Sequence, residues 1–253
     1  MVKKIFFYNE IEKIDKQKVL KSLNTNHFVI LRGLFKKNQV IEVLNNLKKK
    51  IKFRNDKIRK KNQYDLIKSN YQRLMFGMSG GVRGLLNTNS RFIRTFYNPL
   101  WCEDIYKANK IFIKLTMLQN YFYNLDRYYG IKEKKTKHGL FVASRFQHYP
   151  AGGGFLSPHK DIAAIKTAKK LKINLFYNFL LLMTKKGKDY KEGGGFIVKN
   201  KKVFNYENIC EYGDVVIYNS KTVHGVEDID FSKYPDVKTK NGRYVALTTL
   251  FKW

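Results

Sequence analysis

At Leu140 the hydrophobic period of this chain changes, and that change limits the folds open to it. Upstream, apolar residues recur at helical spacing. Val40, Leu44, Leu47 and Ile51 form one stripe over about 37–52, the mark of an amphipathic helix packed on a sheet. Ile105, Ala108, Phe112, Leu115, Leu118, Phe122 and Leu125 repeat the pattern, and their aromatic members read as core. Asn98-Pro99 offers an N-cap followed by proline, and Gly130 a stop, so one long helix is predicted between them. An apolar strand, 27–31, precedes the first helix and is closed by Arg32-Gly33. From Leu140 onward the period is two. Strands are predicted at about 141–149, 173–183, 195–199, 203–205, 214–218, 222–226 and 243–252. Many short strands between Gly and Asn turns suggest a sandwich or barrel.

The expected fold class is mainly β with flanking helices (α+β). A chain of 253 residues is read as one domain, with an N-terminal strand and supporting helices over 1–138 and the β core over 139–253. The charged link Lys132–Lys137 separates parts of that unit. Residues 53–75 are polar and basic and are given no element. The stretch from Met75 to Leu86, with Gly77, Gly80, Gly81 and Gly84, reads as a loop, a connector in preference to a lid.

Two cysteines, Cys102 and Cys210, lie far apart in no metal-like spacing, which fits a reduced, cytoplasmic setting. The N-terminal apolar run is too short for a signal peptide. The longest apolar stretch, Leu175–Met183, is too short to span a membrane and contains Asn178. Against 20 Asp+Glu stand 50 Lys+Arg, a formal charge of +30. Such a charge suits a polyanionic partner. The basic clusters are scattered, however: Lys48–Lys52, Arg59–Lys61, Lys132–Lys137, Lys169–Lys172 and Lys185–Lys191. They carry little of the aromatic interleaving that stacks bases. A solvated basic surface is the reading taken, with a nucleic-acid-binding or nucleic-acid-modifying protein kept as an alternative.

His159 and Asp161 are two apart, so in extended backbone both side chains point to one side. An imidazole and a carboxylate can then share one metal ion. His224 can join them only through a folded sheet. Two histidines and one carboxylate on one face of an octahedral ion form the facial triad of non-haem Fe(II) oxygenases. The spacing alone is weak evidence, and the surroundings add to it. Tyr149-Pro150 and Gly152-Gly153-Gly154 precede the pair. Gly193-Gly194-Gly195, Gly213-Asp214 with an apolar strand, His224-Gly225-Val226, Gly242-Arg243-Tyr244 and a last apolar strand follow it. In this order the elements resemble the Fe(II)/2-oxoglutarate-dependent dioxygenase superfamily, and most closely its prolyl-hydroxylase-like branch. The resemblance covers about residues 139–253.

The resemblance implies a double-stranded β-helix, the jelly-roll or cupin-like core of that superfamily. It implies Fe(II) held by His159, Asp161 and His224, with 2-oxoglutarate and O2 as co-substrates. Asp161 occupies the position that a small residue takes in halogenating relatives, so hydroxylation or a related oxidation is expected. Arg243 opens the final strand, sharing a face with Val245, Leu247, Thr249 and Phe251. A buried arginine needs an anion, and its fork suits a carboxylate. The superfamily uses a basic residue here to hold the distal carboxylate of 2-oxoglutarate; the bland alternative is an ordinary buried salt bridge. Arg243 lies late after His224, which a surface insert over Asp230–Lys240 explains. Many relatives carry serine two residues beyond the arginine, where this chain has Val245, so a second anchor must come from elsewhere. Tyr149 matches the tyrosine that precedes the glycine stretch and is the candidate.

Arg145 and Gln147 alternate onto the face of Tyr149 and are candidate substrate contacts, Arg145 toward an acidic substrate group or a structural carboxylate. His148 points away, to packing or surface, and His27 and His138 are given no role. The glycine runs lack the Lys-Ser/Thr of a phosphate loop and no nucleophile constellation is visible. The expected activity is hydroxylation of a C–H bond of a small anionic substrate, with release of succinate and CO2. The alternatives are a peptidyl (prolyl-type) hydroxylase, the nucleic-acid protein named above, and a non-catalytic metal-binding jelly roll.

Overall fold

The computed structural model describes residues 3–53, 71–76, 91–131, 133–161, 171 and 177–252. In chain order the elements are β1 (Ile5–Phe7), α1 (Lys16–Asn26), β2 (Phe28–Arg32), α2 (Lys37–Lys49), β3 (Tyr71–Phe76), β4 (Phe92–Tyr97) and α3 (Asn109–Tyr123). They continue with β5 (Leu140–Pro150), β6 (Leu156–His159), β7 (Tyr177–Leu182), β8 (Gly194–Lys199), β9 (Lys202–Asn205), a 3-10 turn (Tyr206–Ile209), β10 (Val215–Asn219), β11 (His224–Glu227) and β12 (Gly242–Lys252). The strands form two sheets. One has eight strands in the order β1-β2-β10-β7-β12-β5-β4-β3, and the other four in the order β6-β11-β8-β9. Pairing is antiparallel except between β1 and β2.

The large sheet divides two cores. Val29, Leu31, Val215, Ile217, Tyr244 and Ala246 face the helices, with Phe112, Leu115 and Leu118 of α3 and Val40, Leu44 and Leu47 of α2. Their strand neighbours Phe28, Ile30, Val216, Tyr218, Val245 and Leu247 turn the other way and meet Ile197, Val226 and Tyr206 of the small sheet side. Both faces are apolar, so these strands read as continuous hydrophobic runs. Among the described residues no helix is long and apolar enough to cross a membrane.

Several sequence expectations need correction. Asn98-Pro99 does not start a helix. The Asn98 side chain instead ties the following turn, accepting from Ile105 N (3.1 Å) and donating to Glu103 O (3.0 Å). Asp104 is the capping side chain: its carboxylate accepts from Ala108 N and Asn109 N at 2.7 and 2.9 Å, and α3 begins there. The helix stops at Asn124, in left-handed backbone, well short of Gly130. Strands β1, β3, β4 and β6 and helix α1 were not expected; β3 lies at the end of the stretch left without an element. The insert over 230–240 is an exposed loop from Phe231 to Lys238, anchored by buried Asp230. The glycine-rich stretch after Phe76, the clusters at 59–61 and 169–172 apart from Leu171, the link residue Lys132 and residues 173–176 of an expected strand lie outside the described residues.

Candidate active site

Register brings the two histidines together. On the antiparallel pair β6–β11, His159 and His224 are directly opposite, and their ring centroids are 4.3 Å apart. Gly225 follows His224 where a Cβ would meet Leu156 O at 2.6 Å, so only glycine lets β11 lie this close to β6. Asp161 sits just past β6, its backbone N–H donating to Ser220 O at 3.0 Å. Its carboxylate oxygens lie 3.7 Å from His159 Nε2 and 3.4 Å from His224 Nε2. One donor atom from each of the three residues falls within 4.8 Å of the others.

The donor set suits a divalent metal. Each imidazole donates its Nδ1–H to a backbone carbonyl, His159 to Ser157 (2.8 Å) and His224 to Thr222 (2.9 Å). That tautomer leaves both Nε2 lone pairs aimed at Asp161. Burial, then the neighbouring His224, push the His159 pKa down to about 4 against the pull of Asp161, so the ring is neutral at physiological pH. Asn178 of β7 donates to Asp161 Oδ2 at 2.7 Å and orients the carboxylate from the large sheet. Sequence reasoning did not single out Asn178; it stood there only as a polar break in an apolar run.

The triad opens into a cavity of about 230 Å³ between the sheets. Arg145, Gln147, Tyr149, Tyr206, Tyr218 and Arg243 line it, together with Leu247, Thr249 and Phe251 of β12. The face assignments made from strand alternation on β5 and β12 therefore hold. His148 points the other way, buried and stacked on Tyr244 at 4.0 Å.

Arg243 is fully buried, and its environment differs from the expectation in one respect. Glu207, from the 3-10 turn after β9, takes the guanidinium: Nε donates to Oε1 at 2.6 Å, and Nη2 lies 2.6 Å from the same oxygen. Glu207 also accepts from Gly195 N at 3.0 Å and from the Tyr190 hydroxyl. Burial opposes the charge on Arg243, but Glu207 outweighs it and holds the pKa well above the ordinary arginine value. Nη1 is buried with no partner. Tyr149 lies under the guanidinium, ring centroid 4.9 Å from Cζ, and its hydroxyl donates to Gln147 at 3.2 Å. Burial raises the Tyr149 pKa to about 12. Tyr206 Oη is 3.4 Å from Nη2. Glu207 and Tyr206 were missed because nothing local marks them.

No protein-family model and no curated protein matches the chain. Solved structures do. One is a prolyl hydroxylase from Trichoplax adhaerens in complex with a hypoxia inducible factor oxygen degradation domain peptide fragment. It matches with a TM-score of 0.54 at 15% identity, over 94% of this chain and 89% of that one. Another is a Pseudomonas putida prolyl-4-hydroxylase, with a TM-score of 0.53 at 11% identity, over 94% of this chain and 99% of that one. The chain has the prolyl-hydroxylase fold. Within that fold, the triad and Arg243 sit on neighbouring walls of one cavity.

Proposed function

We propose that the protein is an Fe(II)/2-oxoglutarate-dependent oxygenase that hydroxylates a C–H bond, working as one catalytic unit. In this reading the two facing sheets are the jelly-roll core, carried mainly by residues 139–253, with residues 1–138 in support. One observation carries it: two Nε2 atoms and a carboxylate converge in a cavity that also holds a buried guanidinium with an unused N–H edge.

His159, Asp161 and His224 would hold the iron through one face, leaving the cavity side for ligands. Bound there with 2-oxoglutarate and O2, Fe(II) supplies the oxidation: the co-substrate loses CO2 to become succinate and a substrate C–H becomes C–OH. Ser157 and Thr222 carbonyls fix the imidazole tautomers, and Asn178 fixes Asp161. The 5-carboxylate of 2-oxoglutarate would lie against Arg243 Nη1, with Tyr149 or Tyr206 as hydroxyl partner. Glu207 keeps the guanidinium turned so that Nη1 faces outward from the pair.

The substrate is read as small and anionic, since the cavity, at about 230 Å³, lies below the usual range of ligand-pocket sizes and the chain carries +30. The shared fold with a prolyl hydroxylase in complex with a peptide fragment favours a second reading, a peptidyl hydroxylase. Iron-dependent succinate formation from 2-oxoglutarate under O2 is the test. His159→Ala and Asp161→Ala should lose both this turnover and Mn(II) binding while keeping their circular dichroism. Arg243→Ala should raise the 2-oxoglutarate requirement about ten-fold or more. Unchanged metal binding in both triad variants would sink the assignment. Turnover on proline-containing peptides but on no small carboxylate would select the second reading.

A further inference from the structure

Arg243 is answered by Glu207; the other arginine of the cavity is answered by no described carboxylate. Arg145 projects from β5 on the same face as Gln147 and Tyr149 and lines the cavity. Its Nη1 is shut off from solvent and has no hydrogen-bond partner, and no described carboxylate lies within salt-bridge distance of its guanidinium. Phe251 lies under the guanidinium, ring centroid 5.2 Å from Cζ, so one face is covered and the donor edge is left free. Tyr97 and Asp161 are the charged or polar groups that act on it most strongly across space. Asp161 itself is engaged with the two histidines and Asn178.

Position separates the two arginines. In the β5–β12 register Arg243 is opposite Tyr149 and Arg145 is opposite Leu247. Four residues along a strand is about 13 Å, so the two guanidinium groups rise from different levels of one wall. Arg145 as a whole is half-buried, but a guanidinium edge shut off from solvent without a counter-ion is unfavourable in a folded chain. At a ligand cavity it has an obvious use, because the ligand brings the missing charge.

We propose that Arg145 is the specificity residue for the primary substrate, binding a carboxylate of that substrate through its free edge while 2-oxoglutarate occupies Arg243. This rests on the oxygenase reading and names its substrate class: a small molecule with a carboxylate and an apolar portion that carries the oxidised C–H. One guanidinium among Leu247, Thr249 and Phe251 matches a single negative charge on a planar group. A phosphate would call for further cations or a helix N-terminus, and among the described lining residues the only other Lys or Arg is Arg243, already engaged by Glu207. Gln147, which accepts from Tyr149, presents its amide N–H2 on the same face and can donate to a second ligand oxygen.

The test uses butyrate as probe and butyramide as its uncharged match, titrated by NMR into the intact protein loaded anaerobically with Fe(II) and saturating 2-oxoglutarate. Butyrate should bind wild type and shift the Arg145 side-chain signals. Butyramide should bind at least about ten-fold more weakly, and Arg145→Gln should weaken butyrate by about ten-fold or more. Arg145→Lys, which keeps the charge and loses the fork, should fall between. The 2-oxoglutarate affinity should stay within about three-fold of wild type in Arg145→Gln and drop in Arg243→Gln. No butyrate binding, equal binding to wild type and Arg145→Gln, or tighter binding of inorganic phosphate would each overturn the proposal. So would a loss of 2-oxoglutarate affinity in Arg145→Gln as large as that in Arg243→Gln. Turnover is assayed separately in the Fe(II)-loaded enzyme under O2, and the butyrate titration is repeated without iron: no 2-oxoglutarate turnover in the first with intact Arg145-dependent butyrate binding in the second would fault the oxygenase reading alone.

Discussion

Glu207→Gln isolates the interaction that organises the deep end of the cavity. Glu207 and Arg243 are 3% and 1% exposed, so neither charge can turn to water when the other is lost. Gln keeps the volume and one acceptor oxygen: placed where Oε1 stood it still accepts from Gly195 N, and its N–H2 can then donate to the Tyr190 hydroxyl, reversing that bond. What disappears is the charge facing Arg243 Nε and Nη2 at 2.6 Å. Breaking a buried pair from one side costs about 3–5 kcal/mol, because an uncompensated charge remains. The retained hydrogen bonds place this variant near 3 kcal/mol, roughly a 6–12 °C fall in Tm for a chain of this size. Urea and thermal unfolding would measure it. The double variant Glu207→Gln/Arg243→Met removes the stranded charge and should recover at least about 1 kcal/mol relative to the sum of the single variants. Glu207→Gln within about 0.5 kcal/mol of wild type, or strict additivity in the double variant, would refute the reasoning.

A Cβ at Gly195 would stand 2.1 Å from the Tyr206 hydroxyl and 2.6 Å from Glu207 Oε1, so Gly195→Ala should cost about 1–3 kcal/mol. Gly153→Ala, whose Cβ meets nothing closer than 3.6 Å, should cost under about 0.5 kcal/mol in the same unfolding assay. His148 is buried, donates Nε2–H to Asn241 O at 2.9 Å and faces Arg94 through Nδ1, and burial holds its pKa well below 6.5. The unfolded chain therefore binds a proton that the folded chain refuses, and stability present above pH 6.5 is lost as pH falls below it. This site should contribute a loss of about 1.4 kcal/mol between pH 7.5 and 5.5, read as the difference in pH slope between wild type and His148→Gln. Parallel slopes would show that His148 titrates normally.

Strand alternation is a local property, and it carried the sequence reading far. It placed Arg145, Gln147 and Tyr149 on one face of β5 and Arg243 through Phe251 on one face of β12, and both faces line the cavity. The same i, i+2 geometry set His159 beside Asp161, whereas His224, on a separate strand, could join them only through the folding of a sheet. Helix ends were less legible. Asp104, four residues ahead of its hydrogen-bonding partner, outcompeted a more conspicuous Asn-Pro, since capping depends on where the preceding strand releases the chain. The edge strands β1 and β3, and β4 next to β3, take their pairing from neighbours distant in sequence, and their own composition marks them weakly.

Residue types and their spacing thus determined which side chains could share a surface. Which surfaces face each other was decided only by the register of β6 on β11 and of β12 on β5, and by the approach of one sheet to the other. That is why Arg243 acquired Glu207, 36 residues earlier on a short turn, while Arg145 acquired none among the described residues. Charge partners are chosen by distance in space under a large desolvation cost, and the sequence carries no local trace of that distance.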